Sequence, residues 1–121
     1  MTAGDEKQVY LKLYNTEHRE KQKVIGEDVL RIYTCGPTVY DYAHIGNFRT
    51  YIFEDLMRKT LKFFGFQVRQ VMNITDVDDK TIRGAIGAGL SLSEYTQTYI
   101  DAFFEDLNAL GIERAEVYPY A

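Results

Sequence analysis

One segment constrains the fold of this chain more than any other: a strand, a sharp break, a long amphipathic helix and a second strand in succession. Val29 to Cys35 alternates, with Leu30 and Ile32 on one face and Val29, Arg31 and Tyr33 on the other. That is the period of a half-buried strand. Gly36-Pro37 ends it. From about Gly46 to Phe64, the residues Phe48, Ile52, Phe53, Leu56, Met57, Leu61 and Phe64 fall on one broad helical stripe. Glu54, Asp55, Arg58, Lys59 and Lys62 form the polar side. Gly65 supplies a C-terminal stop, and Phe66 to Met72, with β-branched Val68 and Val71, reads as the next strand. Strand, helix and strand in this order form a crossover unit, which favours parallel pairing. The expectation is an α/β fold, a Rossmann-like parallel sheet with flanking helices.

The rest of the chain is read around that unit. Residues 1–8 are expected to be a solvated tail and 9–121 the folded region. Tyr10 to Tyr14 reads as a short strand, and Asn15 to Gln22 as a turn or exposed connection. Asn73 to Asp79 is a polar loop, followed by a helix from about Val77 to Ile86 that ends near Gly87 and Gly89. Ser91 and Glu94 fit a capping box. The helix after them carries Leu92, Tyr95, Tyr99, Phe103, Leu107 and Leu110 on one face, and Gly111 closes it. Tyr118 to Ala121 adds no closing element. A parallel sheet needs cover on both faces and more than two or three strands, so the chain reads as the first half of a larger domain.

Composition narrows the function. With 14 basic and 18 acidic residues among 121, the net charge of -4 gives no support to a nucleic-acid coat. Cys35 is the single cysteine, which excludes an intrachain disulfide and fits a reducing cytoplasm. No apolar run is long enough to span a bilayer, and the polar opening MTAGDEKQ does not have the pattern of a leader.

The chemistry concentrates between the first strand and the long helix, in Thr34-Cys35-Gly36-Pro37-Thr38-Val39-Tyr40-Asp41-Tyr42-Ala43-His44-Ile45-Gly46-Asn47. Open α/β sheets bind ligands at the carboxyl ends of their strands. A helix starting near Gly46 aims free N–H groups and a positive dipole end into that crevice, which suits phosphates. His44 and Asn47 add side-chain donors, and Gly46 lets a flat base or ribose approach the backbone. Such donors stabilise phosphoryl or adenylyl transfer. Taken alone, His-x-Gly more often marks a capped helix with a hydrogen-bonded histidine than a nucleotide site.

The surrounding strings resemble the cysteinyl-tRNA synthetases, a family of class I aminoacyl-tRNA synthetases. The family's Cys-Gly-x-Thr-Val-Tyr-Asp segment and HIGH or HIGN motif match Cys35, Gly36, Thr38 to Asp41 and His44 to Asn47. Arg49-Thr50-Tyr51 and Asn73 to Lys80 match as well, and the resemblance runs from about Leu11 to Ala121. It implies that L-cysteine is activated by ATP, with Mg2+, to cysteinyl-adenylate and then transferred to tRNA(Cys). It further implies that His44 and Asn47 are catalytic, that His44, Gly46 and Asn47 contact ATP, and that Gly36, Thr38 and Thr75 form the cysteine site. Cys35 matches the first of the family's zinc ligands. Zinc there binds the substrate thiolate, and a soft metal selects sulfur over oxygen where an apolar pocket cannot. The other ligands, a KMSKS-like loop and an anticodon-binding domain have no counterpart in this sequence. The resemblance thus implies a cytoplasmic enzyme, a monomer when complete, of which this chain is an incomplete part.

Other readings stay beside this one. Thr75-Asp76 also suits a helix N-cap. Asp76-x-Asp78-Asp79 is not an EF-hand loop, because Thr81 and Gly87 stand where glycine and glutamate are required. His18 reads as a surface residue, and Phe48, Phe53, Tyr99 and Phe103 as core rather than base-stacking platforms. A cysteine–amino sugar ligase shares the same motifs. Nucleotidylyltransferases share His-x-Gly-His but give no reason for Cys35 to Thr38 or for Asn73 to Lys80. A non-catalytic nucleotide-binding module is the remaining alternative.

Overall fold

The computed structural model describes residues 10–26 and 28–121; the tail expected over residues 1–8 lies outside them. The described chain begins with an antiparallel hairpin. Strand β1 (Lys12–Asn15) pairs with β2 (Glu20–Lys23), Lys12 opposite Lys23 and Asn15 opposite Glu20. The Asn15 side chain accepts the Glu17 N–H at 2.9 Å, and Arg19 takes a positive φ of 55° to complete the turn. The turn expected within Asn15 to Gln22 is present, but Glu20 to Gln22 belong to a second strand rather than to a connection. Strand β2 is Glu-Lys-Gln-Lys, half-buried only at Gln22, so it shows no apolar alternation.

Strand β3 (Val29–Thr34), helix α1 (Ile45–Phe63) and strand β4 (Gln67–Met72) follow as expected, and β3 and β4 pair in parallel from Val29↔Gln67 to Thr34↔Met72. Leu30, Ile32 and Thr34 face inward and the alternate residues outward. Helix α2 (Asp79–Ala88) is capped by Asp78, which accepts the Lys80 and Thr81 N–H groups, and Gly89 ends it in the left-handed conformation. Helix α3 (Leu92–Ala109) starts on Ser91, whose hydroxyl accepts the Glu94 N–H at 3.2 Å, the serine half of the expected box.

The core gathers Phe48 and Tyr51 of α1, Met72 of β4 with Ile74 just beyond it, Ile100, Phe103 and Leu107 of α3, and Val39. Two expectations need correction here. First, α1 buries Phe48, Tyr51, Arg58 and Leu61, whereas Ile52, Phe53 and Leu56 are exposed. The buried face is rotated from the most apolar stripe, and the Arg58 within it is paired. Its guanidinium forms a fork with Glu116, one arm at 2.7 Å, and lies 3.3 Å from Glu113. Pairing of this kind makes a buried charge tolerable. Second, the C-terminus does add to the sheet. Val117 and Tyr120 form parallel bridges to Val71 and Ile74, with the Met72 and Ile74 N–H groups donating to the Val117 and Pro119 carbonyls at 3.1 and 2.8 Å. Strand β4 therefore lies between β3 and this terminal run. The expected class holds: an α/β fragment with a parallel pair flanked by helices. Among the described residues, no helix is long and apolar enough to cross a membrane.

Candidate functional site

Beyond the carboxyl ends of β3 and β4, the backbone continues the parallel ladder in outline. Thr38 pairs with Thr75, the Thr75 N–H donates to the Pro37 carbonyl at 2.9 Å, and the Val39 N–H donates to the Thr75 carbonyl at 3.0 Å. Gly36 is what lets the two segments close on each other. A Cβ there would lie 1.9 Å from the Asn73 carbonyl oxygen, and the Gly36 N–H donates to Asn73 Oδ1 at 2.9 Å.

The loop from Gly36 to His44 and the start of α1 enclose a cleft of about 310 Å3, lined by Gly36, Thr38, Tyr40, Asp41, His44, Asn47, Tyr51 and Lys80, with Pro37, Tyr42 and Ala43. His44 caps α1: its Nδ1 accepts the Asn47 N–H at 3.3 Å, and Asn47 Oδ1 accepts the His44 N–H at 3.1 Å. Gly46 makes room for this, since a Cβ would stand 2.9 Å from His44 Cε1. The Ile45 and Gly46 N–H groups have no acceptor among the described residues, as expected of a first helical turn. A helix start with free amides and two polar side chains beside it can receive an anion. Lys80 adds a cation to the same wall, 5.0 Å from the Tyr40 ring centroid, and Tyr95 holds the Tyr40 carbonyl at 2.6 Å.

Thus Gly36, Thr38, His44 and Asn47 share one cleft, while Gly46 shapes it from behind His44. Thr75 is half-buried and reaches the cleft through its backbone pairing with Thr38. The N-cap reading of Thr75-Asp76 is corrected, because Asp78 caps α2 and Asp76 accepts the Ala121 N–H at 3.0 Å. Cys35 is exposed and free at the end of β3. No three His, Cys, Asp or Glu side chains among the described residues gather to hold a metal. By themselves these residues do not fit the zinc that the resemblance implies; the thiol could serve as one ligand.

Sequence reasoning gave no role to Tyr51 or Lys80. Tyr51 stands one helical turn beyond Asn47, a spacing that puts both on one face of α1. Burial first, then the charges of Glu54 and Cys35, push its phenol up to about 12. Glu54 lies beneath: burial lifts its carboxyl to about 6 against a smaller opposing effect of the Thr34 hydroxyl, and its Oε2 is enclosed without a partner.

Comparison with known proteins bears on the whole chain. Residues 21–121 match the family model described as tRNA synthetases class I (C) catalytic domain. A cysteine–tRNA ligase of Protochlamydia amoebophila is 65% identical over 117 residues, covering 95% of this chain and 24% of the relative. One from Chlamydia caviae is 57% identical over 122 residues, covering 100% of this chain and 26% of the relative. One from Chlamydia trachomatis serovar D is 61% identical over 110 residues, covering 90% and 23%. The chain spans about a quarter of the length of the curated relatives it matches.

Proposed function

Since the chain belongs to the class I (C) tRNA synthetase catalytic-domain family, we propose that it forms the N-terminal half of the catalytic domain, over residues 9–121, of a cytoplasmic ATP-dependent cysteine–tRNA ligase. The observation that carries this reading is the single cleft in which Gly36, Thr38, His44 and Asn47 meet the amino end of α1. In the proposed reaction a carboxylate oxygen of L-cysteine attacks the α-phosphorus of ATP in line. The new bond joins carboxyl oxygen to phosphorus, the bond to the bridging oxygen breaks, and pyrophosphate leaves. Little covalent work falls to the protein; positioning and charge stabilisation do the rest.

In this account the His44–Asn47 pair is a resting arrangement. ATP, with its Mg2+, exchanges that mutual cap for bonds from both side chains to its phosphates, while Gly46 lets the nucleotide lie close to the helix start. Gly36, Thr38 and Thr75 line the cysteine end. Cys35 would give one thiolate to a zinc completed by residues outside this chain; when bound, such a zinc supplies preference for sulfur over oxygen. Aminoacylation assays on the full-length protein test the reading. Transfer of cysteine to tRNA(Cys) supports it. Transfer to an amino sugar alone would move the protein to the sister ligases, and no cysteine-dependent consumption of ATP would leave only a nucleotide-binding module.

A further inference from the structure

Tyr51 carries a hydroxyl that the fold does not use. The residue is 5% exposed, and its ring is held edge-on by Phe48 and Phe103, with centroids at 5.8 and 5.5 Å. A buried tyrosine hydroxyl ordinarily finds a hydrogen-bond partner. That of Tyr51 has none among the described residues, yet it is not among the sealed, unpaired atoms, and the residue lines the cleft. A rigid ring thus presents an unclaimed O–H to the space where the substrate is proposed to lie. Tyr51 is one turn farther along α1 than Asn47, so it enters the cleft about 5 Å farther from the helix start, where the phosphates are proposed to lie.

The neighbourhood selects which substrate group it meets. After burial, the largest influence on the Tyr51 hydroxyl is the charge of Glu54, whose carboxyl, lifted to about 6, is ionised at neutral pH. A substrate carboxylate there would be opposed by Glu54, whereas an ammonium would be favoured. The phenol stays protonated across the working range, since burial and that charge raise it to about 12. Its oxygen keeps lone pairs for an N–H donor.

We propose that Tyr51 is a specificity residue for the amino-acid substrate, its hydroxyl oxygen accepting a hydrogen bond from the α-ammonium of cysteine at the inner end of the cleft. This rests on the reading of the cleft as a cysteine-activating site. The role is distinct from that of His44 and Asn47, which face the nucleotide.

The test is Tyr51→Phe in the full-length protein, read by cysteine-dependent pyrophosphate exchange. Loss of a hydrogen bond to a charged group predicts a KM for cysteine raised on the order of tenfold or more, with the KM for ATP unchanged. Two competitive inhibitors locate the contact. Cysteamine, which has the thiol and an ammonium but no carboxylate, should lose affinity in the variant to the same degree as cysteine. 3-Mercaptopropionate lacks the ammonium and should bind both proteins equally. An unchanged KM for cysteine, an equal rise for ATP, or weakened 3-mercaptopropionate binding overturns the proposal. So does a Tyr51→Phe protein that fails to fold, because the hydroxyl would then have a structural partner. A wild-type protein without cysteine-dependent exchange would instead overturn the underlying reading of the cleft.

Discussion

Replacing Glu54 with glutamine should stabilise this chain, and only above mild acidity. Glu54 is half-buried on α1 beneath the cleft, with Oε2 enclosed and unpartnered. Burial lifts its carboxyl from the ordinary 4.5 to about 6, the Thr34 hydroxyl pulling the other way. A raised carboxyl favours the neutral form in the folded state. The stability it allows is therefore complete below the unfolded value and declines as pH rises from 4.5 through 6. Each tenfold difference in proton affinity between folded and unfolded chain is worth about 1.4 kcal/mol; discounted for the partial burial of Glu54, the penalty above pH 7 is about 1 kcal/mol. Glutamine keeps the shape and an acceptor for Thr34 but never ionises. Urea melts at a series of pH values provide the assay. At pH 8 the midpoint of Glu54→Gln should exceed that of the parent by roughly 0.5 M, taking a slope of about 2 kcal/mol/M, and the two should coincide near pH 4. A variant less stable at pH 8, or a gain that does not vary with pH, would refute the argument that an ionised Glu54 strains the fold.

Three further perturbations follow from the same geometry. Glu116 behaves oppositely, because the Arg58 hydrogen bonds hold its carboxyl down at about 2; Glu116→Gln should cost about 1 kcal/mol at pH 7, discounted for the exposure of Glu116. That difference should fade in urea melts as pH falls from 4.5 toward 2. Gly36→Ala places a Cβ 1.9 Å from the Asn73 carbonyl oxygen, so thermal melts should show a loss of about 1–3 kcal/mol or more, as overpacking does. Cys35→Ser in the full-length protein should weaken zinc retention after dialysis by at least the roughly 10–100-fold that even outer-shell partners cost, and with it the preference for cysteine over serine.

The crossover unit was legible because each of its parts is marked locally: alternation in Val29 to Thr34, the Gly36-Pro37 break, a helical apolar period and Gly65, which takes φ +93° at the helix end. Of the hairpin, the first strand and a turn were legible but β2 was not, since it is held by backbone pairing and the Asn15 turn rather than by a buried face. The inward face of α1 was misread for a tertiary reason. Periodicity cannot show that Glu113 and Glu116, far along the chain, pair with Arg58 and so let it be buried while Phe53 and Leu56 lie exposed. The terminal pairing of Val117 and Tyr120 escaped notice because isolated bridges around Pro119 leave no run of strand. At the site, the segment from Cys35 to Asn47 stood out as one string and folds as one wall. Tyr51 was reachable by counting one turn from Asn47, but the sequence showed it only within the Arg49-Thr50-Tyr51 match, and its place in the core follows from packing against Phe48 and Phe103.

The central claim is that the cleft at the amino end of α1 activates cysteine with ATP, and pyrophosphate exchange by full-length wild-type and His44→Ala proteins tests it most directly. The account predicts exchange that depends on cysteine and is not supported by serine. In His44→Ala the rate should fall on the order of a hundredfold, the usual cost of one donor to a charged transition state. The melting temperature should shift by only a few degrees, because the exposed His44 contributes little beyond its cap. Exchange that survives His44→Ala undiminished in a folded protein, or a wild type that exchanges no pyrophosphate with cysteine, would contradict it.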